Sequence, residues 1–200
     1  GNRILGNPET DAAIEMTLVG AEICFMCPAV ISLSGAQAAD AVMIRNQQRI
    51  ALPMHTPVVL AKGDRVDVGR ISNGARVYLC VKGGVQTPEI LGSRSALVSL
   101  PDAGLGRALR AGDRLPMNEH AVRDKHLTQS TPSLIRSMSL PRILRVVAGA
   151  HAERFTSTQQ QSIAAMDFTI ADQSNRAGVR LVGAAIPAPI PEQMQSQGTL

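Results

Sequence analysis

The sequence predicts a mainly β protein. Short apolar runs alternate with polar residues at period two, they recur at even and short spacing, and turn signals rich in Gly, Pro and Asn-Gly separate them. Only one long segment, 151–166, has a helical pattern. This combination is typical of a β-barrel or a β-sandwich.

The predicted strands follow one another closely in the first 84 residues. In 13–19, apolar Ile14, Met16 and Leu18 alternate with polar residues, which predicts a strand with one buried face. Further predicted strands are 21–27, 28–34, 41–46, two short runs within 56–69, and 75–84. Turns are predicted at Asn46-Gln47-Gln48, Lys62-Gly63-Asp64 and Ser72-Asn73-Gly74.

The helical pattern in 151–166 rests on Phe155, Gln159 and Ile163, which fall at i, i+4 and i+8. The candidate caps for the helix are Thr156, Ser157 and Thr158. Strand character resumes in 167–172 and 178–183.

A polar segment divides the chain. Residues 117–141 contain two prolines and no sustained period, which indicates a linker or an extended excursion. We therefore expect a first β lobe over 1–116 and the start of a second lobe over 142–200.

Composition excludes several classes of protein. Aromatic residues make up only 2% of the chain, which argues against a platform for single-stranded nucleic acid. The net charge of +4 is spread along the chain, so no nucleic-acid-binding or membrane-binding tail is expected. No apolar window is long enough for a membrane span and no secretory signal is visible, so we expect a cytoplasmic protein.

The cysteines and histidines do not form a convincing metal site. Cys24 and Cys27 have C-x-x-C spacing, but a strand would point them to opposite faces and no second pair follows. We expect two apolar strand cysteines there. His120 and His126 lack regularly spaced partners, so no metal is expected.

No motif identifies a catalytic residue. The chain has no G-x-S-x-G elbow, and no G-x-G-x-x-G follows a strand. The Gly-rich segment 81–85, VKGGV, lacks the lysine and serine of a phosphate-binding loop.

Two arginine-bearing turns are the candidate binding residues. One turn places Arg94 between the hydroxyls of Ser93 and Ser95, and the other places Arg176 and Arg180 four residues apart. The planar guanidinium suits a carboxylate or a phosphate, and backbone amides of Gly-Ser turns add anion donors. Spacing alone favours the alternative, in which these are solvated or ion-paired turn residues.

Six blocks occur in an order that resembles a known family. The blocks are GNPETDAAIEMTL (6–18), SNGARVYLCVKGGV (72–85), LGSRS (91–95), GLGRALRAGDRL (104–115), RVVAGAHAERFT (145–156) and SNRAGVRLVG (174–183). Together they resemble the biotin-dependent carboxyltransferase family. Its members include the C-type subunit of bacterial 5-oxoprolinase, the Kip antagonist protein, allophanate hydrolase subunit 2 and the carboxyltransferase domain of urea amidolyase.

The resemblance implies a cyclophilin-like β-barrel fold in two lobes. It also implies a longer protein, so we expect this chain to be an internal fragment with an incomplete second lobe that is inactive alone. Members often have Arg-Met-Gly-Tyr-Arg where this chain has Arg176-Ala177-Gly178-Val179-Arg180. The missing tyrosine removes a hydroxyl donor, so the resemblance does not determine the identity of the substrate.

The first functional hypothesis is the C-type subunit of an ATP-dependent 5-oxoprolinase. The resemblance implies that A-like and B-like partner subunits and ATP are needed to open 5-oxoproline, a small cyclic amide, to glutamate. Arg94 and Arg176, with Arg180 as second choice, would hold the substrate carboxylate or the developing phosphate charge. Ser93 and Ser95 would orient the anion.

Three alternatives remain open at this stage. The chain fits the carboxyltransferase component of a urea carboxylase and allophanate hydrolase system, with biotin carried by a partner because no Met-Lys attachment sequence is present. It also fits a Kip antagonist-type regulator, which binds an inhibitor of a sensor kinase without catalysis. The last alternative is a β protein of unrelated function.

Overall fold

The computed structural model describes residues 1–96, 106–118, 146–149, 152–174 and 178–185. The chain divides into two units, Gly1–Pro141 and Arg142–Leu200. The mainly β class predicted from the sequence is confirmed. The lobe boundaries predicted at 116 and 142 stay a prediction.

The described part of the first unit begins with a short helix, and strands follow. The elements are α1 (Asn2–Leu5), β1 (Ile14–Thr17), β2 (Glu22–Cys24), β3 (Ala29–Gln37), β4 (Val42–Arg45), β5 (Gln48–Ala51), β6 (Val58–Leu60), β7 (Arg65–Asp67) and β8 (Ser72–Val81).

Two antiparallel sheets share one core in this unit. The first sheet has the order β1-β8-β3-β6 and the second β2-β7-β4-β5. Buried side chains from both sheets meet in a single cluster, which includes Ile31 and Leu79 from the first sheet and Met43 and Val66 from the second. The sheets are not closed into a barrel, so the cyclophilin-like barrel that the resemblance implies is represented here by two open sheets.

The chain crosses between the sheets at the predicted turn Lys62-Gly63-Asp64. The strands on either side of this turn, β6 and β7, do not pair with each other. Strand β6 pairs with β3 in the first sheet, whereas β7 pairs with β2 and β4 in the second. The turn therefore connects the two sheets.

Strand β5 was missed in the sequence, where Gln48 was assigned to a turn. The turn consists of Asn46 and Gln47, with φ of 48° and 67°, and β5 begins at Gln48 to form a hairpin with β4. Positive φ at both central residues is typical of a type I′ turn. Every residue of β5 is exposed, so the strand carries no hydrophobic alternation.

The predicted turn at Ser72-Asn73-Gly74 is wrong. These residues lie inside β8, where Asn73 and Gly74 have φ of 50° and 134°. The β3–β8 register shifts between Gly35 and Gln37, which face this end of β8. The strand pair therefore accommodates the positive φ values as an irregularity instead of a chain reversal.

The described part of the second unit contains one helix and one hairpin. Its elements are a 3₁₀ turn (Ala152–Arg154), α2 (Ser157–Ala165), β9 (Thr169–Ile170) and β10 (Leu181–Val182). The predicted helix is confirmed over this shorter range. Its cap is Thr156, whose hydroxyl accepts a hydrogen bond from Gln159 N (3.3 Å) while Gln159 Oε1 accepts one from Thr156 N (2.8 Å). No helix in the described ranges has the length and apolar character needed to span a membrane.

Candidate functional site

The first two blocks of the family resemblance are joined by one asparagine. Helix α1 ends at Leu5 and is capped by Gly6, whose φ of 68° is the left-handed conformation that favours glycine. The next residue, Asn7, donates from Nδ2 to Val81 O (2.7 Å) and accepts at Oδ1 from Gly83 N (2.8 Å). The Asn7 side chain thus pairs with the end of β8 as a strand residue would.

Residues 1–7 form a cover, which we call the N-terminal strap, over the outer face of β3 and β8. Leu5 is fully buried against Val30 and Cys80, on the side of the first sheet that faces away from the main core. Lys82 is 3% exposed, and its Nζ donates to Leu5 O at 2.9 Å. A buried ammonium and an asparagine side chain therefore hold the strap in place.

Strand alternation builds a polar surface beneath the strap. Ser32 lies opposite Cys80, Ser34 lies opposite Tyr78, and Lys82 follows two residues after Cys80. We call these five residues the polar face. The residues between them, such as Leu33 and Leu79, point into the core.

The two serines of the polar face are buried without hydrogen bonds. Ser32 is 0% and Ser34 is 7% exposed, and neither Oγ has a hydrogen-bond partner among the described residues. Leaving a buried hydroxyl without a partner costs about 1–3 kcal/mol, and such groups are rare in folded proteins.

His55 lies next to β3, at the edge of the strand that does not pair with β8. Its backbone N donates to Leu33 O at 2.7 Å, one residue before Ser34, and its φ is 57°. A non-glycine residue with this φ is strained, and such strain is concentrated at functional sites. Burial lowers the pKa of the half-buried imidazole below its ordinary value, which favours the neutral form of His55.

Cys80 is kept protonated in the same surroundings. Burial raises the pKa of its thiol. A side-chain carbon placed on Gly1 would lie 2.4 Å from Cys80 Sγ and 2.9 Å from Ser34 Oγ, so the strap begins in direct contact with the polar face. The serines, the thiol and Lys82 of the polar face are therefore buried, and the Nζ of Lys82 is bonded to Leu5 O.

The turn that carries Arg94 is a tight two-residue turn. Leu91 and Gly92 have φ of 52° and 75°, and Ile90 and Ser93 exchange backbone hydrogen bonds of 2.8 and 3.0 Å. Ser93 Oγ accepts from Ser95 N at 3.1 Å. The sequence therefore correctly predicted a turn here.

The guanidinium of Arg94 contacts its own loop. Nη1 donates to Thr87 O, and Nη2 lies 3.8 Å from Glu89 Oε2. Arginine has five N–H donors, so these contacts orient the fork without using all of its donors. This geometry is compatible with a binding role and also gives Arg94 a structural role.

Arg180 precedes β10 in the second unit and also has local partners. Its Nη1 donates to Gln173 Oε1, and its backbone N donates to Ser174 Oγ at 2.9 Å. Arg176, His120 and His126 lie outside the described residues. Because Arg94 and Arg180 belong to different units, the shared arginine site stays a prediction.

The prediction of two strand cysteines is wrong in its detail. Strand β2 ends at Cys24, which is exposed, and Cys27 lies beyond the strand and is half-buried. Phe25 follows the strand, is buried, and has backbone hydrogen bonds to Gly63 and Asp64. Across the described residues, no three His, Cys, Asp or Glu side chains are grouped as metal ligands would be.

Comparison with known proteins shows to which protein family the chain belongs. The fold is similar to the crystal structure of Kluyveromyces lactis urea carboxylase, with a TM-score of 0.72 and 30% identity over 92% of this chain and 17% of that chain. The sequence model of the carboxyltransferase domain, subdomain A and B, matches residues 1–200. The chain therefore belongs to the carboxyltransferase domain family, which confirms the family predicted from the sequence blocks.

Two curated relatives represent different branches of this family. Urea amidolyase of Saccharomyces cerevisiae is 35% identical over 98% of this chain, which corresponds to 11% of that protein. The C-type subunit of 5-oxoprolinase from Escherichia coli is 29% identical over 100% of this chain and 61% of its own length. Both relatives are components of enzyme systems, and the chain spans less than two thirds of either.

Proposed function

We propose that the chain is part of the C-type subunit of an ATP-dependent 5-oxoprolinase, which opens 5-oxoproline to glutamate with A-like and B-like partner subunits in the cytoplasm. The observation that carries this proposal is the alignment of the whole given sequence with the C-type subunit of 5-oxoprolinase from Escherichia coli, at 29% identity.

The chemistry requires stabilisation of negative charge. A lactam carbonyl is a poor electrophile, so transfer of the γ-phosphoryl group of ATP to the carbonyl oxygen would provide a better leaving group. Water would then attack the carbonyl carbon, and cleavage of the ring C–N bond would leave an acyl phosphate. A second water would hydrolyse this acyl phosphate and release phosphate and glutamate. The charge that develops on oxygen in these steps is stabilised by oriented N–H donors.

Arg94, Arg176 and Arg180 are the residues proposed to supply those donors. The contacts of Arg94 with Thr87 and Glu89 fix its guanidinium before substrate binds, which lowers the cost of orienting it later. Ser93 and Ser95 keep the turn closed through the Ser93 Oγ contact.

The test is turnover of 5-oxoproline by the full-length protein with its partner subunits. Arg94→Ala and Arg176→Ala should each lower kcat/KM by about a hundredfold, the magnitude typical for loss of a transition-state donor. Arg94→Lys should not restore activity, because an ammonium cannot reproduce the planar fork. Thermal unfolding of each variant separates a binding role from loss of the loop structure.

The matched control is Arg49→Ala, which removes an exposed guanidinium that lies 3.3 Å from Asp67 Oδ2 on the second sheet. This variant should retain full turnover. If Arg94→Ala and Arg176→Ala also retain full turnover, the arginines have no part in the mechanism.

A second candidate is the carboxyltransferase component of a urea carboxylase system. The 35% identity to urea amidolyase and the 30% identity to urea carboxylase favour it. Biotin on a partner protein would supply the carboxyl group, and the same arginines would stabilise the oxyanion of the amide. Urea-dependent ATP hydrolysis in the presence of a biotin carboxylase partner would support this candidate. A complex that forms with the partners and turns over neither substrate would instead indicate a Kip antagonist-type regulator.

A further inference from the structure

We infer that Asn73 is a site of covalent self-modification, at which the folded protein converts its Asn73-Gly74 sequence to aspartyl and isoaspartyl forms. The sequence contains six asparagines, and Asn73 is the one that glycine follows. The inference does not depend on the proposed function, because it follows from the chemistry and the pairing of the main chain at this position.

The irregular pairing of β3 with β8 leaves this dipeptide outside the β ladder. On β3, the paired residues Gly35 and Gln37 are separated by one residue, whereas their partners on β8 are separated by the four residues 73–76, which we call the β8 bulge. Among the described strands, neither β1 nor β3 provides a paired residue for Asn73 or Gly74. Both residues are exposed, so water reaches the groups that would react.

The conformation of the bulge favours the residue types that make this bond reactive. Asn73 has φ of 50° and Gly74 has φ of 134°, values that asparagine and glycine adopt more readily than other residues. A side-chain carbon on Gly74 would lie 2.7 Å from Ala36 Cβ, so a larger residue at 74 requires displacement of its neighbour. Glycine in turn leaves its nitrogen unshielded by a side chain, which allows the nitrogen to approach the Asn73 side chain.

The reaction is intramolecular and consumes only water. The Gly74 nitrogen attacks Cγ of Asn73, so that an N–Cγ bond forms, the Cγ–Nδ2 bond breaks, and ammonia leaves with the proton of the Gly74 amide. The product is a cyclic imide. Water then opens the imide at Cγ, which gives aspartate, or at the main-chain carbonyl carbon, which gives isoaspartate with the chain continuing through Cγ. The overall change replaces an amide NH2 group by OH, without oxidation or reduction. A nucleophile held beside its target in this way needs no second reactant to be brought to it.

The modification changes the charge and the main chain of the bulge. Each product adds one carboxylate to a chain whose net charge is +4. Isoaspartate also adds a methylene group to the main chain between Ile71 and Ala75. The end of β1 is bonded to both sides of that segment, because Leu18 N donates to Ala75 O (2.9 Å) and Ile71 N donates to Leu18 O (3.0 Å). The isoaspartyl form should therefore exchange the Leu18 amide hydrogen faster than the unmodified protein.

The test is incubation of the native full-length protein at mildly alkaline pH, where the attacking nitrogen loses its proton more readily. Digestion at acidic pH and mass spectrometry then follow each asparagine. Asn73 should show the mass gain of OH over NH2, in two products of equal mass that separate by chromatography. Exposed Asn46 is the internal control, since its φ of 48° is close to that of Asn73 but Gln47 follows it. Asn73 should be converted on the order of tenfold faster than Asn46, because the glycine nitrogen is unshielded.

Two variants identify the cause of the reaction. Asn73→Gly removes the reactive side chain and tolerates a positive φ, so the mass of this segment should stay constant. Gln47→Gly places glycine after Asn46 in the hairpin turn, where position 47 has φ of 67°, and should make Asn46 reactive. Thermal unfolding of both variants checks that the fold is retained.

The inference is overturned if Asn73 in the native protein is converted no faster than Asn46, or if it stays intact under conditions that convert Asn46 in Gln47→Gly. Conversion that occurs only in denaturant would also overturn it, because the bulge would then protect Asn73. Hydrogen exchange of the purified isoaspartyl form tests the structural consequence. Faster exchange at Leu18, with unchanged exchange in β3, supports the coupling to β1, and an unchanged rate at Leu18 contradicts that coupling.

Discussion

Two arginine–aspartate pairs in the first unit share their chemistry and differ in their surroundings. Arg45 donates from Nη2 to Asp64 Oδ2 at 2.5 Å and from Nε to Oδ1 at 3.0 Å, and the Asp64 side chain is 4% exposed. Arg107 donates to both oxygens of Asp113 at 2.7 and 2.9 Å, and the Asp113 side chain is 24% exposed.

The difference lies in what each pair connects. Arg45 ends β4 in the second sheet, whereas Asp64 lies in the turn that links β6 to β7 and also accepts from Ala61 N at 2.7 Å. Arg45 reaches Val59 O on β6 at 3.3 Å as well. This pair therefore ties the two sheets together, while the pair of Arg107 and Asp113 closes a single loop.

The largest expected effect follows from Asp64→Asn. The substitution preserves shape but removes the charge that satisfies Arg45, and it should lower the free energy of unfolding by about 2 kcal/mol, since Arg45 is partly exposed and partly screened. Chemical denaturation of the wild type and the variant measures this difference.

The matched control is Asp67→Asn, which neutralises the half-buried partner of exposed Arg49 at 3.3 Å on the second sheet. That variant should change the unfolding free energy by less than about 0.5 kcal/mol. Equal effects of the two substitutions would show that burial does not distinguish the pairs.

The pH dependence of stability should follow Asp64 next. The hydrogen bonds from Arg45, aided by the Ala61 N–H, lower the pKa of this carboxyl below its ordinary value of 3.8, against the opposing effect of burial. A lowered folded-state pKa stabilises the protein above the unfolded pKa, and this stabilisation is lost as pH falls through the folded pKa. Unfolding curves recorded from pH 6 downwards should therefore lose stability below about pH 4 in the wild type. In Asp64→Asn the unfolding free energy should fall less steeply as the pH is lowered. The same slope in the variant and the wild type would contradict the assignment to Asp64.

Much of the fold could be predicted from local alternation. Strand β1 and the core half of β8 alternate apolar and polar residues because one face of each is buried. Strand β5 could not be found in this way because all of its residues are exposed. Asn73-Gly74 does not form the predicted turn, because its positive φ values occur at an irregularity in the pairing of β3 with β8. That irregularity depends on Gly35, which is far away in sequence.

The candidate site was predicted only in part. The turn around Arg94 follows from its glycine and serines, but the partners Thr87 and Glu89 do not, because a guanidinium reaches across a loop whose path must be known. Ser32 and Ser34 lie in a run that was identified only as an apolar strand. Their alternation with buried Ile31 and Leu33 was the available signal, since two serines on one side of a buried strand need partners.

The smallest expected effect concerns the exposed pair, and it completes the comparison. Arg107→Ala removes both hydrogen bonds to Asp113, while Arg110 N still donates to Asp113 Oδ2 at 2.8 Å. The loop should open locally without weakening either sheet, because exposed pairs contribute little to global stability. Limited proteolysis should therefore cut 106–118 faster, with an unchanged denaturation midpoint and a control variant, Arg3→Ala, cut at the wild-type rate. A lowered midpoint would show that this loop is part of the core structure. The contribution of an ion pair to the free energy of unfolding would then depend on its location and not on burial alone.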